Sequence, residues 1–293
     1  MKAKKKRRLS AFEICLYLIF GLLALMTLYP FYNVLIVSFS NTVTSAKYSP
    51  YLYPHVFDLT GYKAIIRDEY FFKSLATTLF VTVVGTSLSM LFSVVAAYVL
   101  SRKRLLGRKF FLGMILFTML FSGGLIPTYL VICDLNLDNT IWCMILPVMI
   151  STYYLIIMKN YFAGLPPSLE EAARLDGAND WIILTRVFVP ISKPFMATFA
   201  LFYAVERWNG WWEAYLYIND KNIKPLQIYL RDILVSFNTQ LGSQAQSILS
   251  GNRVFVQSVQ MAAIVVTMLP ILCLYPFLQK YFVKGVMIGS VKE

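Results

Sequence analysis

Charge is scarce in this chain, and the scarcity excludes several classes of function. Only 14% of the 293 residues are Asp, Glu, Lys or Arg, where a soluble domain carries about 25%. There is a single histidine, His55. A His-based proton relay or metal centre therefore has no material, and no metal ligand set is expected. No Gly-x-x-x-x-Gly-Lys-Ser/Thr stretch occurs, so the chain cannot build a P-loop to hold ATP itself. No catalytic cluster stands out, which argues against an enzyme. The four cysteines, Cys15, Cys133, Cys143 and Cys273, lie in or beside apolar runs without metal-ligand spacing. Cys133 and Cys143 both fall towards the outer surface, which leaves a disulfide open beside the reading of free, buried thiols. Low-complexity segments and clear internal repeats are also absent.

What fills the chain is apolar. Hydrophobic residues make up 58% of it and the mean hydropathy is +0.62, against about 45–50% apolar residues in a soluble domain. This is the composition of an integral membrane protein, with 1-293 expected to form a single transmembrane domain. A net charge of +12 would suit nucleic acid, but the basic residues cluster beside apolar runs, as the cytoplasmic flanks of membrane spans do. Membrane lipid is the expected surroundings, and nucleic acid is not an expected partner.

Taken in order, the runs predict an all-α membrane protein with six transmembrane helices. Lys2, Lys4, Lys5, Lys6, Arg7 and Arg8 precede a first run, Ala11–Ser38. It is too long for a signal peptide and has no A-x-A site close behind it, so an uncleaved span is expected. Pro30 is its candidate kink. The other spans are expected at Ser74–Leu100, Phe110–Ile132 (with Gly123, Gly124 and Pro127 inside it), Thr140–Met158, Ile191–Trp208 and Val259–Phe282. Asn41–Lys73 reads as an outer loop with a short helix near Tyr62–Arg67. A longer outer loop, about 209-258, opens a helical pattern at Lys224-Pro225-Leu226-Gln227 that continues through Ile228–Val235. Eighteen of the 27 Lys and Arg then fall in the N-terminal, even-turn and C-terminal segments, which places both termini in the cytoplasm.

One polar island interrupts the runs, within the loop at about 159-190. Pro166 and Pro167 lead into Ser168, and Glu171 follows three residues later at the spacing of a capping box. A helix over Leu169–Asp176 is expected, with Leu169, Ala172, Ala173 and Leu175 as one small, mostly apolar face. Gly177 suits the left-handed residue that ends it, and Asn179 or Asp180 suits the cap of a second helix starting near Trp181. Within this island stand Glu171-Ala172-Ala173, then Gly177, then Val187-Phe188-Val189-Pro190.

That pattern resembles the cytoplasmic loop of the permeases of binding-protein-dependent ABC importers. Their loop reads EAA, three residues, Gly, nine residues, Ile-x-Leu-Pro. The spacing agrees throughout, and the departures, Val187 and Val189, are both apolar. The resemblance implies the type I ABC importer permease fold in a bacterial inner membrane. It also implies that Glu170, Glu171, Ala172, Ala173, Asp176, Gly177 and Pro190 couple the chain to an ATPase. The implied partners are an ABC ATPase dimer holding ATP and Mg, a second homologous permease and an extracytoplasmic solute-binding protein. This chain itself would bind no cofactor. A secondary transporter uncoupled from an ATPase is the alternative.

A second constellation closes the fifth run: Glu206, Arg207, Trp208, Asn209, Gly210, Trp211, Trp212 and Glu213. Charges at membrane depth usually face a cavity, and aromatic faces stack on sugars. Glu206, Trp208, Asn209, Trp211 and Trp212 are therefore candidates for a substrate pathway. An aromatic belt at the membrane interface is the competing reading. The Trp-Asn pair looks like the same point in maltose-type sugar permeases. The tail Val283–Glu293 resembles the Gly-rich ending of carbohydrate permeases, and within that family Ser122–Pro127 and the run Gly285–Val291 are similar to the branch serving complex and acidic oligosaccharides, such as alginate or galacturonate oligomers.

Overall fold

In the computed structural model of the chain, residues 10–41, 53–54, 56–243 and 257–273 are described. The Gly-rich tail and His55 lie outside them. Every named element among the described residues is helical. The chain divides into two compact units, Met1–Asp68 with Asp232–Met268, and Glu69–Arg231 with Leu269–Glu293.

In the first unit, α1 (Ala11–Ser38) runs continuously through Pro30. Its start is held by Glu13, whose carboxylate accepts the Ser10 N–H at 2.8 Å. The helix is exposed along almost its whole length and becomes buried only at Ile36–Ser38. There Ser38 shares a 2.7 Å hydrogen bond with Tyr62 of the short helix α2 (Thr60–Arg67), close to the Tyr62–Arg67 helix expected from sequence. Gly61 makes the close approach on the other side of α2. A Cβ there would stand 2.9 Å from the Ser258 carbonyl oxygen.

The second unit is organised on α3 (Glu69–Ser101), a 33-residue helix. Its buried side is a stripe of small residues, Ser74, Thr78, Gly85, Ser89, Ser93 and Ala97. Small residues at helical spacing let neighbouring backbones approach, which is the usual basis of helix packing in lipid. Against this stripe pack α6 (Thr152–Ala163) and α9 (Lys193–Asn209). Tyr98, Leu155, Met158, Phe162, Phe188 and Tyr203 fill one core between them. A second core gathers Val81, Ile132, Cys143, Ile145, Tyr217 and Ile228.

Two expected spans are not single helices. The third is broken into α4 (Arg108–Leu120) and α5 (Leu125–Asp134), which bend by 116°. α4 stops at Leu120 with Phe121 extended, and Gly124, at φ +92°, caps the start of α5 in a conformation that ordinary side chains rarely adopt. The fourth, expected over Thr140–Met158, begins as a 3-10 turn at Ile141–Met144 and becomes α-helical only at Thr152. Pro147 lies in the gap. It has no N–H to donate and disfavours helix in the residue before it. The fifth is close to expectation as α9, but meets the preceding helix at a bend of 87°. In total, two described helices are long and apolar enough to cross a membrane by themselves, or up to four if each bent pair is one span. The sixth expected span is represented by the apolar helix Gln257–Cys273.

Candidate coupling elbow and outer aromatic site

The polar island folds as two short helices meeting at a tight turn. The first, α7, runs Pro167–Leu175. It starts earlier than expected because Pro167 takes the first helical position, where its fixed φ and missing N–H cost nothing. Ser168 is consequently inside the first turn, and the expected capping box does not form: the cap is Pro166, without a side-chain hydrogen bond. The C-terminus behaves as the sequence predicts. Gly177 has φ +82°; its N–H donates to the Arg174 carbonyl at 3.0 Å, and the Ala178 N–H reaches back to Ala173 at 2.9 Å. This pair of bonds is the Schellman motif. The second helix, α8 (Asp180–Ile191), is capped by Asn179, whose side-chain oxygen accepts the Ile182 N–H at 2.9 Å. Its middle, Ile183–Phe188, is wound as a π-helix, and Pro190 lies in its last turn.

The face assignment differs from expectation. Ala173 packs on the chain's own core, whereas Ala172 is exposed and Leu175 is 89% exposed. The outward face is therefore Ser168, Glu171, Ala172 and Leu175, continued by Asp176 and by Trp181, 59% exposed. Glu170 turns the other way. It forms an ion pair with Arg102 and accepts from Arg174 at 2.9 Å. Asp180 accepts from Arg104 at 2.6 Å, from Arg174 at 2.5 Å and from the Tyr98 hydroxyl at 3.3 Å. Arg102 also stands over the faces of Tyr98 and Phe188, 4.3 and 4.6 Å from their centroids. Three guanidiniums and two carboxylates thus tie both elbow helices to the turn after α3. Burial pulls the Asp180 carboxyl upward, but Arg174, Arg104 and Tyr98 outweigh it and hold it below its ordinary 3.8. The Glu170 hydrogen bond holds Arg174 above its usual value.

The second constellation is split by the structure. Trp208 is buried, with 4% exposure, and lines an apolar groove with Thr82, Thr86, Ala200 and Ala204. It is not an open stacking surface. Asn209 is exposed, but its amide donates to the Val205 carbonyl at 2.9 Å. Glu206 accepts from the Tyr154 hydroxyl at 2.5 Å. Trp211 and Trp212 remain outward, meeting edge to face at 5.5 Å, at the start of α10 (Trp212–Tyr217). They are joined by Tyr215, over which the Arg231 guanidinium stands 4.5 Å from the ring centroid. Tyr215 and Arg231 were not singled out in sequence. Arg231 lies in α11 (Leu226–Ser243), which contains the helical stretch expected at Ile228–Val235. Beside the aromatics is a cavity of about 180 Å3, whose lining includes Glu206, Arg207, Glu213 and Pro225.

All four cysteines are free, which settles the open Cys133–Cys143 pairing. Among the described residues no group of three or more His, Cys, Asp or Glu is placed to hold a metal ion.

An elbow of two short helices in a chain with long apolar helices fits the permease resemblance, and comparison with known proteins shows the family. Residues 80–288 match the family described as binding-protein-dependent transport system inner membrane component. The chain belongs to this family. It is 42% identical over 283 residues to Protein LplC of Bacillus subtilis, covering 96% of this chain and 95% of the relative. It is 43% identical over 283 residues to the polygalacturonan/rhamnogalacturonan transport system permease protein YtcP of the same organism, covering 96% and 98%. A solved structure, described as a bacterial ABC transporter involved in the import of the acidic polysaccharide alginate, superposes with a TM-score of 0.85. It is 34% identical, and the match covers 94% of this chain and 100% of the solved one.

Proposed function

We propose that this chain is one of two homologous permease subunits of an ATP-driven importer of acidic oligosaccharides, of the galacturonate or alginate type. Six spans with both termini in the cytoplasm would put the elbow on the same side as the ATPase. ATP and Mg would be held by a separate ATPase dimer, and the cargo would arrive on an extracytoplasmic binding protein. The observation that carries this reading is the division of labour at the elbow. Glu170 is engaged inward, while Glu171, Ala172 and Leu175 form a free outward face of the size a cleft would accept. The names of YtcP and of the alginate transporter support the cargo class. The outward platform of Trp211, Trp212 and Tyr215, with Arg231 above it, has the aromatic faces and the positive charge that an acidic sugar requires.

The test is reconstitution of this chain in liposomes with the partner permease, ATPase and binding protein. Oligogalacturonate uptake should require internal ATP and should persist when ion gradients are collapsed. Uptake that follows an ion gradient without ATP would favour the secondary-transporter reading and sink this one.

A further inference from the structure

Among the described residues Arg207 is the one charged side chain in the buried class, 8% exposed, and neither the elbow nor the aromatic platform uses it. Its partners are two backbone carbonyls and one serine hydroxyl. One terminal nitrogen donates to the Met144 carbonyl at 3.0 Å. The other donates to the Val148 carbonyl at 2.5 Å and to the Ser89 hydroxyl at 3.1 Å. Met144 ends the 3-10 turn and Val148 lies inside the interruption of the expected fourth span, before α6 begins at Thr152. Non-helical backbone at membrane depth is tolerated only where the protein supplies the missing hydrogen bonds.

One helical turn earlier on α9 stands Tyr203, and it serves the same interruption. Its hydroxyl accepts the Ser151 N–H at 3.2 Å and shares a 2.8 Å bond with Ser93. Tyr203 and Arg207 are four residues apart, as are Ser89 and Ser93, so two matched rungs join α9 to α3 through the break. Room for the Arg207–Ser89 rung comes from Gly85, one turn before Ser89 on α3. A Cβ at Gly85 would meet the Arg207 Cδ and Nε at 3.3 Å.

The connectivity gives these rungs their meaning. α6 leads from the interruption to the elbow, with α7 beginning four residues after Ala163. α8 returns from the elbow, and only Ser192 separates it from α9. The path from break to elbow and back is therefore closed at its far end by Tyr203 and Arg207. Resting on the function proposed above, we infer that Arg207 and Tyr203 are positioning residues of the transport stroke. They clasp the broken fourth span as a fixed pivot, so that displacement of the elbow is delivered to the transmembrane helices instead of being lost at the break.

The experiment uses the full chain twice. By itself in detergent, the Arg207→Lys, Arg207→Met and Tyr203→Phe variants are compared with wild type by hydrogen exchange. Residues 145–151 should exchange faster, most in Arg207→Met and less in Arg207→Lys, while the elbow, residues 167–182, should be unchanged. In the reconstituted importer the same variants should keep a stoichiometric ATPase and lose at least about fivefold in sugar imported per ATP hydrolysed, the range of a typical coupling between sites. Unchanged exchange at 145–151 would overturn the clasp. Faster exchange with unaltered import per ATP would overturn its part in transport, as would loss of the ATPase together with import. Failure of the wild-type importer to use ATP would instead overturn the functional reading, and the exchange result would still judge the clasp.

Discussion

Glu170 and Glu171 are adjacent in sequence and opposite in situation. A step of one residue turns a helix by about 100°, enough to carry one carboxylate into a cluster of guanidiniums and leave the other in solvent. The Arg102–Glu170 pair is largely withdrawn from water, with side chains 13% and 19% exposed. Removing one member of such a pair costs about 3 kcal/mol or more, because the other charge stays buried without its partner. Glu170→Gln should therefore lower the thermal stability of the purified chain, and adding Arg102→Met should restore part of the loss. A double variant no better than Glu170→Gln would show that the two residues are not coupled. Asp180 sets the pH behaviour of the same cluster. Its carboxyl is held below 3.8 when folded, so its contribution is complete above that value and fades only as pH falls through the lower folded value. The contribution of Asp180 to the chain's stability should accordingly be flat between about pH 5 and 8, as read by melting temperature across that range, while salt weakens the exposed half of the cluster.

At the scale of elements, the elbow is the part whose local rules are strongest. Pro167 starts α7, the Schellman turn at Gly177 ends it, and Asn179 starts α8. Each of these is written within six residues. What that local grammar leaves open is which face of α7 turns outward, and here Leu175 is the decisive residue. At 89% exposure it contributes almost nothing to the chain's own packing. Leu175→Asp should therefore leave expression and melting unchanged and reduce ATPase co-purification by about five- to thirtyfold, the effect of losing 1–2 kcal/mol at an interface centre. Gly177→Val should also release the ATPase, by straining the positive φ and misdirecting α8. Retention of a stoichiometric ATPase by both variants would remove the docking role from this face.

For the whole molecule, the testable statement is sidedness. In a variant with the four cysteines replaced by Ser, single cysteines are introduced at two exposed positions, Asn222→Cys on the loop before α11 and Leu175→Cys on the elbow. An impermeant maleimide added to intact cells should label the first and not the second. Labelling at position 175 from outside would separate the elbow from any cytoplasmic ATPase and end the proposed coupling. Within the second unit, the irregular backbone around residues 144–151 receives hydrogen bonds from Arg207 and Tyr203.

Composition and short-range pattern were enough to reach a mostly helical membrane protein, the positions of helices α1, α3 and α9, and the elbow's Gly177 turn and Asn179 cap, though not its expected capping box. These depend on hydropathy summed over a window and on dihedral preferences of single residues, and both are local quantities. The continuity of the third and fourth spans was not legible in the same way. Gly123, Gly124, Pro127 and Pro147 were all visible, but such residues also occur in continuous membrane helices when neighbours satisfy the freed groups. At the interruption of the expected fourth span, two carbonyls are hydrogen-bonded by a guanidinium 63 residues from one and 59 from the other. The burial of Trp208, the inward turn of Glu170 and the packing of Ala173 on the core are of the same kind. Each is set by what lies opposite in the folded molecule, and only the tertiary structure brings those partners together.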